Sequence, residues 1–172
     1  SANAIDFVDL AMKKHYNEII KFREVKIMDT LRASVLRDRK PQIGIVLGSG
    51  LGALADRIEG AEALPYSDIP GFPVSTAPGH KGRFVFGTIG GKEVVLMDGR
   101  VHLYEGYTPQ QVVMPIRLMR QMGIHTVLLT NASGGIRRDL HAGDLMLLTD
   151  HISSLVPSPL RGENDPALGV RF

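Results

Sequence analysis

Two spacings of apolar residues divide the chain into a helical start and a longer stretch in which strands alternate with helices. From Ile5 to about Arg39, apolar residues recur three or four positions apart with lysines and glutamates between them, which is the pattern of a helix with one buried face. Pro41 ends this pattern, because proline cannot continue a helix. The spacing therefore predicts an N-terminal helical arm over residues 5–40, made of two helices or of one bent helix.

After Pro41, short apolar runs bounded by glycine or polar residues predict strands. The predicted strands are residues 43–47, 84–89, 92–97, 126–130 and 145–148, and the predicted helices are residues 51–58 and 108–122. Gly90 and Gly91 predict a hairpin between the second and third strands. This order of elements predicts a single α/β domain over residues 41–172, with a mixed central β-sheet flanked by helices.

A glycine-rich loop follows the first predicted strand, with Ser49 between Gly48 and Gly50 and with Gly52 close behind. Backbone N–H groups in such a loop can approach an anion closely, and the N-terminus of a following helix adds a partial positive charge. The glycine spacing differs from the dinucleotide pattern G-x-G-x-x-G, and the lysine of ATP-binding P-loops is missing. The loop therefore predicts either an anion site or simply a tight connection.

The richest polar chemistry lies in residues 97–107, at the end of a predicted strand. If the backbone stays extended, alternation places Arg100, His102 and Tyr104 on one face. A planar guanidinium suits a phosphate or carboxylate, the imidazole can donate to the same anion, and the phenol can reach a neighbouring hydroxyl. Glu105 is close enough in sequence to hold the imidazole through its second nitrogen. The alternative is a solvated loop whose aromatic rings cover the end of the sheet.

Two further segments carry candidate chemistry. Residues 131–135, Asn-Ala-Ser-Gly-Gly, form a small-residue elbow after a predicted strand, where the backbone can touch a ligand without obstruction. His80 lies in a basic turn and is either a donor to an anion or an ordinary turn residue. In α/β sheets, ligands bind outside the carboxyl ends of the strands. Because Ser49, Arg100 and Asn131 each follow such an end, the sequence predicts one shared pocket.

Composition narrows the kinds of partner. The 172 residues are 44% hydrophobic and carry a net charge of +2, with a sequence pI of about 9.0 and a mean hydropathy near zero. The basic residues are dispersed, so we expect binding neither to nucleic acid nor to a membrane. No apolar run approaches the roughly 20 residues that span a bilayer. Cysteine is absent, which excludes a thiol nucleophile and is compatible with a reducing cytoplasm, and no spacing of ligand residues predicts a metal site.

Four motifs, in order along the chain, resemble the trimeric purine nucleoside phosphorylases. They are Gly48-Ser-Gly-Leu-Gly52, Gly79-His-Lys-Gly-Arg83, Gly99-Arg-Val-His-Leu-Tyr-Glu-Gly-Tyr107 and Thr130-Asn-Ala-Ser-Gly-Gly135. The resemblance runs from about Ile43 to Phe172, and the arm before Pro41 matches less well. It implies reversible phosphorolysis, in which a purine nucleoside and inorganic phosphate give the free base and ribose 1-phosphate without a further cofactor. It also implies a homotrimer, and we expect a cytoplasmic protein.

The same resemblance implies roles for individual residues. The phosphate-binding positions are Ser49, His80, Arg100, His102 and the backbone of Ala132. The nucleoside-binding positions are Tyr104, Asn131, Ala132, Ser133 and Phe172. Phe172 matches an aromatic residue that a neighbouring subunit lends to the sugar site in trimers of the family. His102 and Tyr104 are therefore the expected catalytic residues. Ser133 replaces an alanine common in the family's elbow, and we interpret it as a tolerated small residue.

Length is the main departure from the family, whose chains continue well past Phe172. The sequence is either a natural truncation or part of a longer chain, and the absent part carries the residues that bind and protonate the purine. We therefore expect the segment to be inactive or nearly so and to expose apolar surface. The run His102 to Tyr107 favours 6-oxopurine nucleosides, inosine or guanosine. Alternatives are a methylthioadenosine phosphorylase, an inactive phosphate-binding remnant, and an NAD-type domain, which the predicted hairpin disfavours.

Overall fold

The computed structural model describes residues 18–76, 81–161, 164 and 169–170. Helix α1 covers residues 18–31 and continues as a π-helical turn, Arg32–Leu36. Its inner side is buried, with Ile27, Met28 and Leu31 almost fully enclosed. The helical spacing thus predicted this segment correctly, whereas residues 5–17 of the predicted arm lie outside the described residues. Within the described part of the chain, no helix combines the length and the apolar character needed to cross a membrane.

In the described part of the chain, five strands form one mixed sheet. They are β1 (Ile43–Leu47), β2 (Glu59–Pro65), β3 (Arg83–Ile89), β4 (Lys92–Asp98) and β5 (Thr126–Leu129). Their order across the sheet is β2-β3-β4-β1-β5. Strand β1 runs parallel to β4 and β5, while β3 runs antiparallel to β2 and β4. Gly90 and Gly91 make the β3–β4 turn with φ of 56° and 74°, which favours glycine. The predicted α/β class, mixed sheet and hairpin are confirmed.

Alternation along the strands divides their side chains between two apolar layers. On one face, Phe84 and Val95 pack with the buried sides of α1 and of helix α2 (Pro109–Gln121). On the opposite face, Leu96 packs with Ala55 in a smaller cluster. The two helices therefore lie on the same side of the sheet.

Helix α2 begins where Thr108 and Pro109 predict it. The backbone N–H of Gln111 donates to Thr108 Oγ1 at 3.3 Å, and Gln111 Oε1 accepts from the Thr108 N–H at 2.9 Å, so two helix-end donors are satisfied reciprocally. Pro109 takes the first helical position, where its missing N–H costs nothing. A Cβ on Gly44 of β1 would lie 2.7 Å from the sulfur of Met119. The absent side chain thus lets α2 lie directly on the sheet.

The predicted helix over residues 51–58 is instead a 3-10 helix, Gly52–Arg57. Ile58 is already extended because it leads into β2, which leaves six residues for the helix. Connectors between strands often adopt this tighter form, although six residues is longer than most 3-10 helices. Strand β2 itself was not predicted, because its residues are mostly polar or exposed. Backbone pairing to β3 holds this strand in place, and such pairing does not require the apolar residues by which a strand is predicted.

The strand predicted over residues 126–130 is present, but it is largely exposed. Strand β5 forms, but Leu128 is 50% exposed and Leu129 is 72% exposed, because β5 is an edge strand and the described residues do not cover it. The predicted strand over residues 145–148 is wrong, since this run has no regular structure and Leu145 is 100% exposed. An apolar run becomes a strand when another strand accepts its backbone, and none of the described strands pairs with this one. The expected exposure of apolar surface is confirmed.

A buried ion pair fastens α1 to α2. Glu24 is 4% exposed; its Oε1 lies 3.0 Å from Arg117 Nε in an ion pair, and its Oε2 accepts a hydrogen bond from Gln121 Nε2 at 3.1 Å. Burial raises the pKa of Glu24, while the charge of Arg117 acts to lower it. The pair positions the two helices, and a buried carboxylate without its partner is costly.

Replacing Arg117 by methionine should therefore destabilise the protein by about 3–5 kcal/mol at neutral pH. With its pKa raised, Glu24 holds a proton more tightly in the folded than in the unfolded state, so the loss should shrink as the pH falls through that raised pKa and the carboxyl becomes protonated. Urea denaturation followed by circular dichroism measures this. Glu18→Gln, an exposed change on α1, is the control. Equal stability of Arg117→Met and the reference at neutral pH would contradict the role of the pair.

The open edge of β5 should cause self-association of the 172-residue chain, because large exposed apolar patches favour contact between copies. Replacing Leu129 by lysine should lower both the apparent mass in analytical ultracentrifugation and the fluorescence of a bound apolar dye. Val74→Lys, which changes a 43% exposed apolar residue elsewhere, is the matched control. If the reference chain is monomeric and does not increase the fluorescence of the dye, this surface does not cause self-association.

Candidate active site

Three parallel strands end at the same edge of the sheet. The register pairs Leu47 of β1 with Asp98 of β4, and Val46 of β1 with Leu129 of β5. Neighbouring strands lie about 5 Å apart. The segments that begin with Ser49, Arg100 and Asn131, each two positions beyond its strand, therefore emerge side by side. This edge, as the sequence predicted, brings the three segments together.

Gly48 is in direct contact with the chain that leaves β5. Its N–H donates to Thr130 Oγ1 at 2.8 Å, and the same hydroxyl donates to the Val46 carbonyl at 2.7 Å. A Cβ on Gly48 would lie 2.5 Å from the Thr130 carbonyl oxygen and 2.7 Å from the Asn131 Cα. Gly48 is thus needed for the close approach of two backbones. Thr130 was not predicted as a site residue, although a threonine between an apolar run and a small-residue elbow is a usable signal.

Arg100 joins the β4 end to the β5 end. Its Nη1 donates to the Thr130 carbonyl at 3.4 Å, and its side chain is partly buried. A guanidinium held at the meeting point of strand ends provides a fixed, permanently charged group of planar donors. Such a group has the chemistry to bind a phosphate or a carboxylate.

His102 and Glu105 form a closed turn. The Glu105 carboxylate accepts from the His102 backbone N–H at 2.7 Å and from its ring Nδ1 at 2.8 Å, and the Glu105 N–H donates to the His102 carbonyl at 3.2 Å. The expected contact between Glu105 and the imidazole is confirmed. The condition of an extended backbone through Tyr104 is not met, since Leu103–Glu105 is a 3-10 turn. Local capping by the carboxylate outweighs the strand-like alternation there.

The ring of Tyr104 nevertheless reaches the imidazole. The two rings stack with centroids 4.7 Å apart and an interplanar angle of 19°. Tyr104 is 76% exposed, whereas Val101 is buried. The turn therefore presents His102 and Tyr104 together, although for a different reason from the one the sequence suggested.

The Glu105 carboxylate is buried and accepts several hydrogen bonds. Its side chain is 3% exposed, and it also accepts from the Thr76 N–H at 2.5 Å and the Thr76 hydroxyl at 2.9 Å. Burial by itself raises the pKa of Glu105, but the hydrogen bonds from Thr76 and His102 outweigh it and lower the pKa to about 2. An ionised carboxylate can only accept, so Nδ1 of His102 carries the proton. Thr76 had no signal in the sequence, because it is distant from Glu105 along the chain.

The remaining predicted site residues are exposed or lie outside the described residues. Asn131, Ala132 and Ser133 lie in an exposed, irregular segment after β5, and Ser49 is exposed in the loop after β1. His80 and Phe172 lie outside the described residues. Among the residues that the structure describes, no group of three His, Cys, Asp or Glu side chains is arranged to hold a metal ion.

This chain is similar to proteins of known sequence and structure. Residues 42–172 match the sequence model of the phosphorylase superfamily. Purine nucleoside phosphorylase 1 of Geobacillus stearothermophilus is 54% identical over 132 residues, which are 77% of this chain and 48% of that protein. The chain thus spans about half the length of the curated relatives it matches.

Solved structures show the same likeness. Isoform 2 of purine nucleoside phosphorylase from Schistosoma mansoni, in complex with cytosine and ribose-1-phosphate, superimposes with a TM-score of 0.63 at 43% identity, covering 71% of this chain and 42% of that one. The Schistosoma mansoni enzyme in complex with inosine gives 0.62 at 40% identity, covering 71% and 42%. With more than half of its residues matched by the family's sequence model, this chain belongs to the phosphorylase superfamily.

Proposed function

We propose that the protein is a purine nucleoside phosphorylase, which transfers the ribosyl group of a purine nucleoside to inorganic phosphate. The observation that carries the proposal is the contact between Arg100 and the Thr130 carbonyl, because it fixes a guanidinium where three parallel strands end. The names of the relatives support the same activity, and the part of this chain that matches them spans about half of their length.

The proposed reaction breaks the bond between the anomeric carbon and the base nitrogen and forms one between that carbon and a phosphate oxygen. The bonding electrons leave with the base, which takes up a proton, and ribose 1-phosphate remains. Positive charge develops on the sugar in the transition state, so a bound phosphate dianion stabilises it electrostatically and also acts as nucleophile. The chain therefore needs groups that hold phosphate rather than a nucleophilic side chain.

In this proposal each predicted residue has a distinct task. Arg100 binds phosphate oxygens with its planar donors, and Ser49 adds a hydroxyl from the glycine loop. Glu105 holds Nδ1 of His102 in the protonated form, so Nε2 is the nitrogen that donates to phosphate when the ring is charged. Tyr104, stacked on His102, contacts the ribose.

The remaining predicted residues complete the proposal. Asn131, Ala132 and Ser133 contact base, sugar and phosphate from the elbow after β5, with His80 as a further phosphate ligand and Phe172 as the aromatic residue that a second subunit supplies. The finer proposals are a 6-oxopurine substrate, a cytoplasmic homotrimer and phosphate as the only co-substrate. The relative bound to inosine and the one bound to ribose-1-phosphate support the substrate and product classes.

Arg100→Ala should weaken the binding of inorganic phosphate to the 172-residue chain by about 100-fold, the scale of losing one charged, preorganised anion ligand. Titration of the phosphorus NMR signal measures the affinity, and release of hypoxanthine from inosine is followed in the same samples. We expect that release to be slow or absent in the reference chain and abolished by the substitution. Arg32→Ala, which removes an exposed arginine of the π-helical turn, is the control. Phosphate affinity that survives Arg100→Ala would overturn the proposed site.

Glu105→Gln should make the stability of the turn almost independent of pH in the acid range. The pKa of Glu105 is depressed to about 2 in the folded state, so its stabilising contribution is complete above its ordinary pKa and is lost as the pH falls through about 2. The stability difference between reference and variant should therefore be largest at neutral pH and shrink on acidification. Urea denaturation at several pH values measures it, with Glu59→Gln on exposed β2 as control. A difference that does not change with pH would show that the charge of Glu105 is not what matters.

A further inference from the structure

Four charged side chains form one ion network beside the candidate site, namely Asp56, Lys81, Arg83 and Asp98. Arg83 joins the two carboxylates, since its Nε donates to Asp98 Oδ2 at 2.9 Å and its Nη2 to Asp56 Oδ1 at 3.2 Å. Lys81 Nζ donates to both oxygens of Asp56, at 3.1 and 3.2 Å. None of the residues proposed above to bind phosphate or nucleoside belongs to this network.

Two members of the ion network sit next to proposed phosphate ligands. Asp56 lies on the 3-10 helix that continues directly from the loop containing Ser49. Asp98 is the last residue of β4 and precedes Arg100 by two positions. A Cβ on Gly52 would lie 3.4 Å from Asp98 Oδ1, so the end of the glycine loop also approaches this carboxylate. The ion network therefore bridges the two segments that carry Ser49 and Arg100.

The cationic members come from a third segment. Arg83 is the first residue of β3 and pairs with Asp98 across the sheet, so its stem is anchored by the hairpin. Lys81 is two positions earlier and directly follows His80 in the sequence. Both cations converge on Asp56 of the 3-10 helix. The sheet thus holds the 3-10 helix through charge as well as through the burial of Ala55.

Burial separates the ion network into an inner and an outer pair. In the inner pair, the side chains of Arg83 and Asp98 are 24% and 5% exposed, and a carboxylate so buried needs its partner. In the outer pair, the side chains of Lys81 and Asp56 are 47% and 59% exposed, and such pairs contribute little to stability. Hydrogen bonds from Lys81 and Arg83 lower the pKa of Asp56. The Asp56 carboxylate is therefore ionised at neutral pH, and the main effect of the outer pair is on geometry.

We infer that Asp56 and Arg83 are positioning residues of the phosphate site, an inference that rests on the proposed function. They set the distance between the Ser49 loop and the Arg100 segment, and they act through these segments rather than by touching phosphate. A guanidinium can do this because its separate donors reach two carboxylates at once.

The test compares the 172-residue chain with Asp56→Asn, which keeps the shape of the side chain and removes its charge. Amide hydrogen exchange of residues 48–52 should become about tenfold faster, because the loop opens more often, and the Kd for inorganic phosphate should rise about tenfold, while the midpoint of urea unfolding stays the same. Lys81→Arg, which conserves the outer pair, should keep reference values. The matched control is Asp29→Asn, which removes a 67% exposed partner of Arg32 far from this edge.

Each outcome decides the inference. Reference-like exchange in residues 48–52 together with a reference-like phosphate Kd would overturn it. So would weaker phosphate binding that comes with an equal fall in the unfolding midpoint, because that result indicates a merely structural role. If the reference chain binds phosphate no better than Arg100→Ala, the proposed phosphate site is wrong, and the exchange rates of the Asp56→Asn loop then decide by themselves whether the ion network positions it.

Discussion

The parallel pairing of β1 between β4 and β5 is the constraint on which the candidate site depends. It places three strand ends at one edge of the sheet. It can do so because Gly48 lets two backbones meet where a Cβ would lie 2.5 Å from the Thr130 oxygen. Thr130, which follows β5, closes the junction with two hydrogen bonds to the β1 segment, at Gly48 and Val46, and Arg100 adds a third contact. A shift in the register of one strand would move all of these groups apart, so the register of the sheet determines the geometry of the site.

Buried carboxylates hold the surrounding segments in place. Glu24 ties α1 to α2, Asp98 holds Arg83 at the sheet edge, and Glu105 fixes the turn that presents His102. Losing the partner of a buried charge costs about 3–5 kcal/mol, whereas an exposed pair is worth about 0–1 kcal/mol. Three such groups give the fold a polar framework beside its apolar core. At the site, the low pKa of Glu105 reflects the hydrogen bonds that stabilise its charged carboxylate.

The sheet is unevenly covered. Both α-helices lie on one face, while the outer edge of β5 and the segment that follows it expose leucines such as Leu129, Leu145 and Leu147. The elbow with Asn131 to Ser133 belongs to this exposed side. Arg100 and His102, which are partly buried, are therefore better supported by packing than the residues of this elbow. This unevenness matches a chain that spans about half the length of its relatives.

The sequence by itself determined the α/β class, β1, the β3–β4 hairpin, α2 and the placement of Arg100 and Ser49 after strands, because these features rest on local periodicity and on glycine and proline. It also indicated the contact between His102 and Glu105, which are three residues apart. Tertiary structure alone decided the 3-10 turn at Leu103–Glu105, strand β2 and the exposure of Leu129. It likewise brought Thr76 to Glu105 and Arg83 to Asp56. Each of these features depends on a backbone segment or a charged group that is distant in sequence but close in the fold. The local spacing of residues does not predict such contacts.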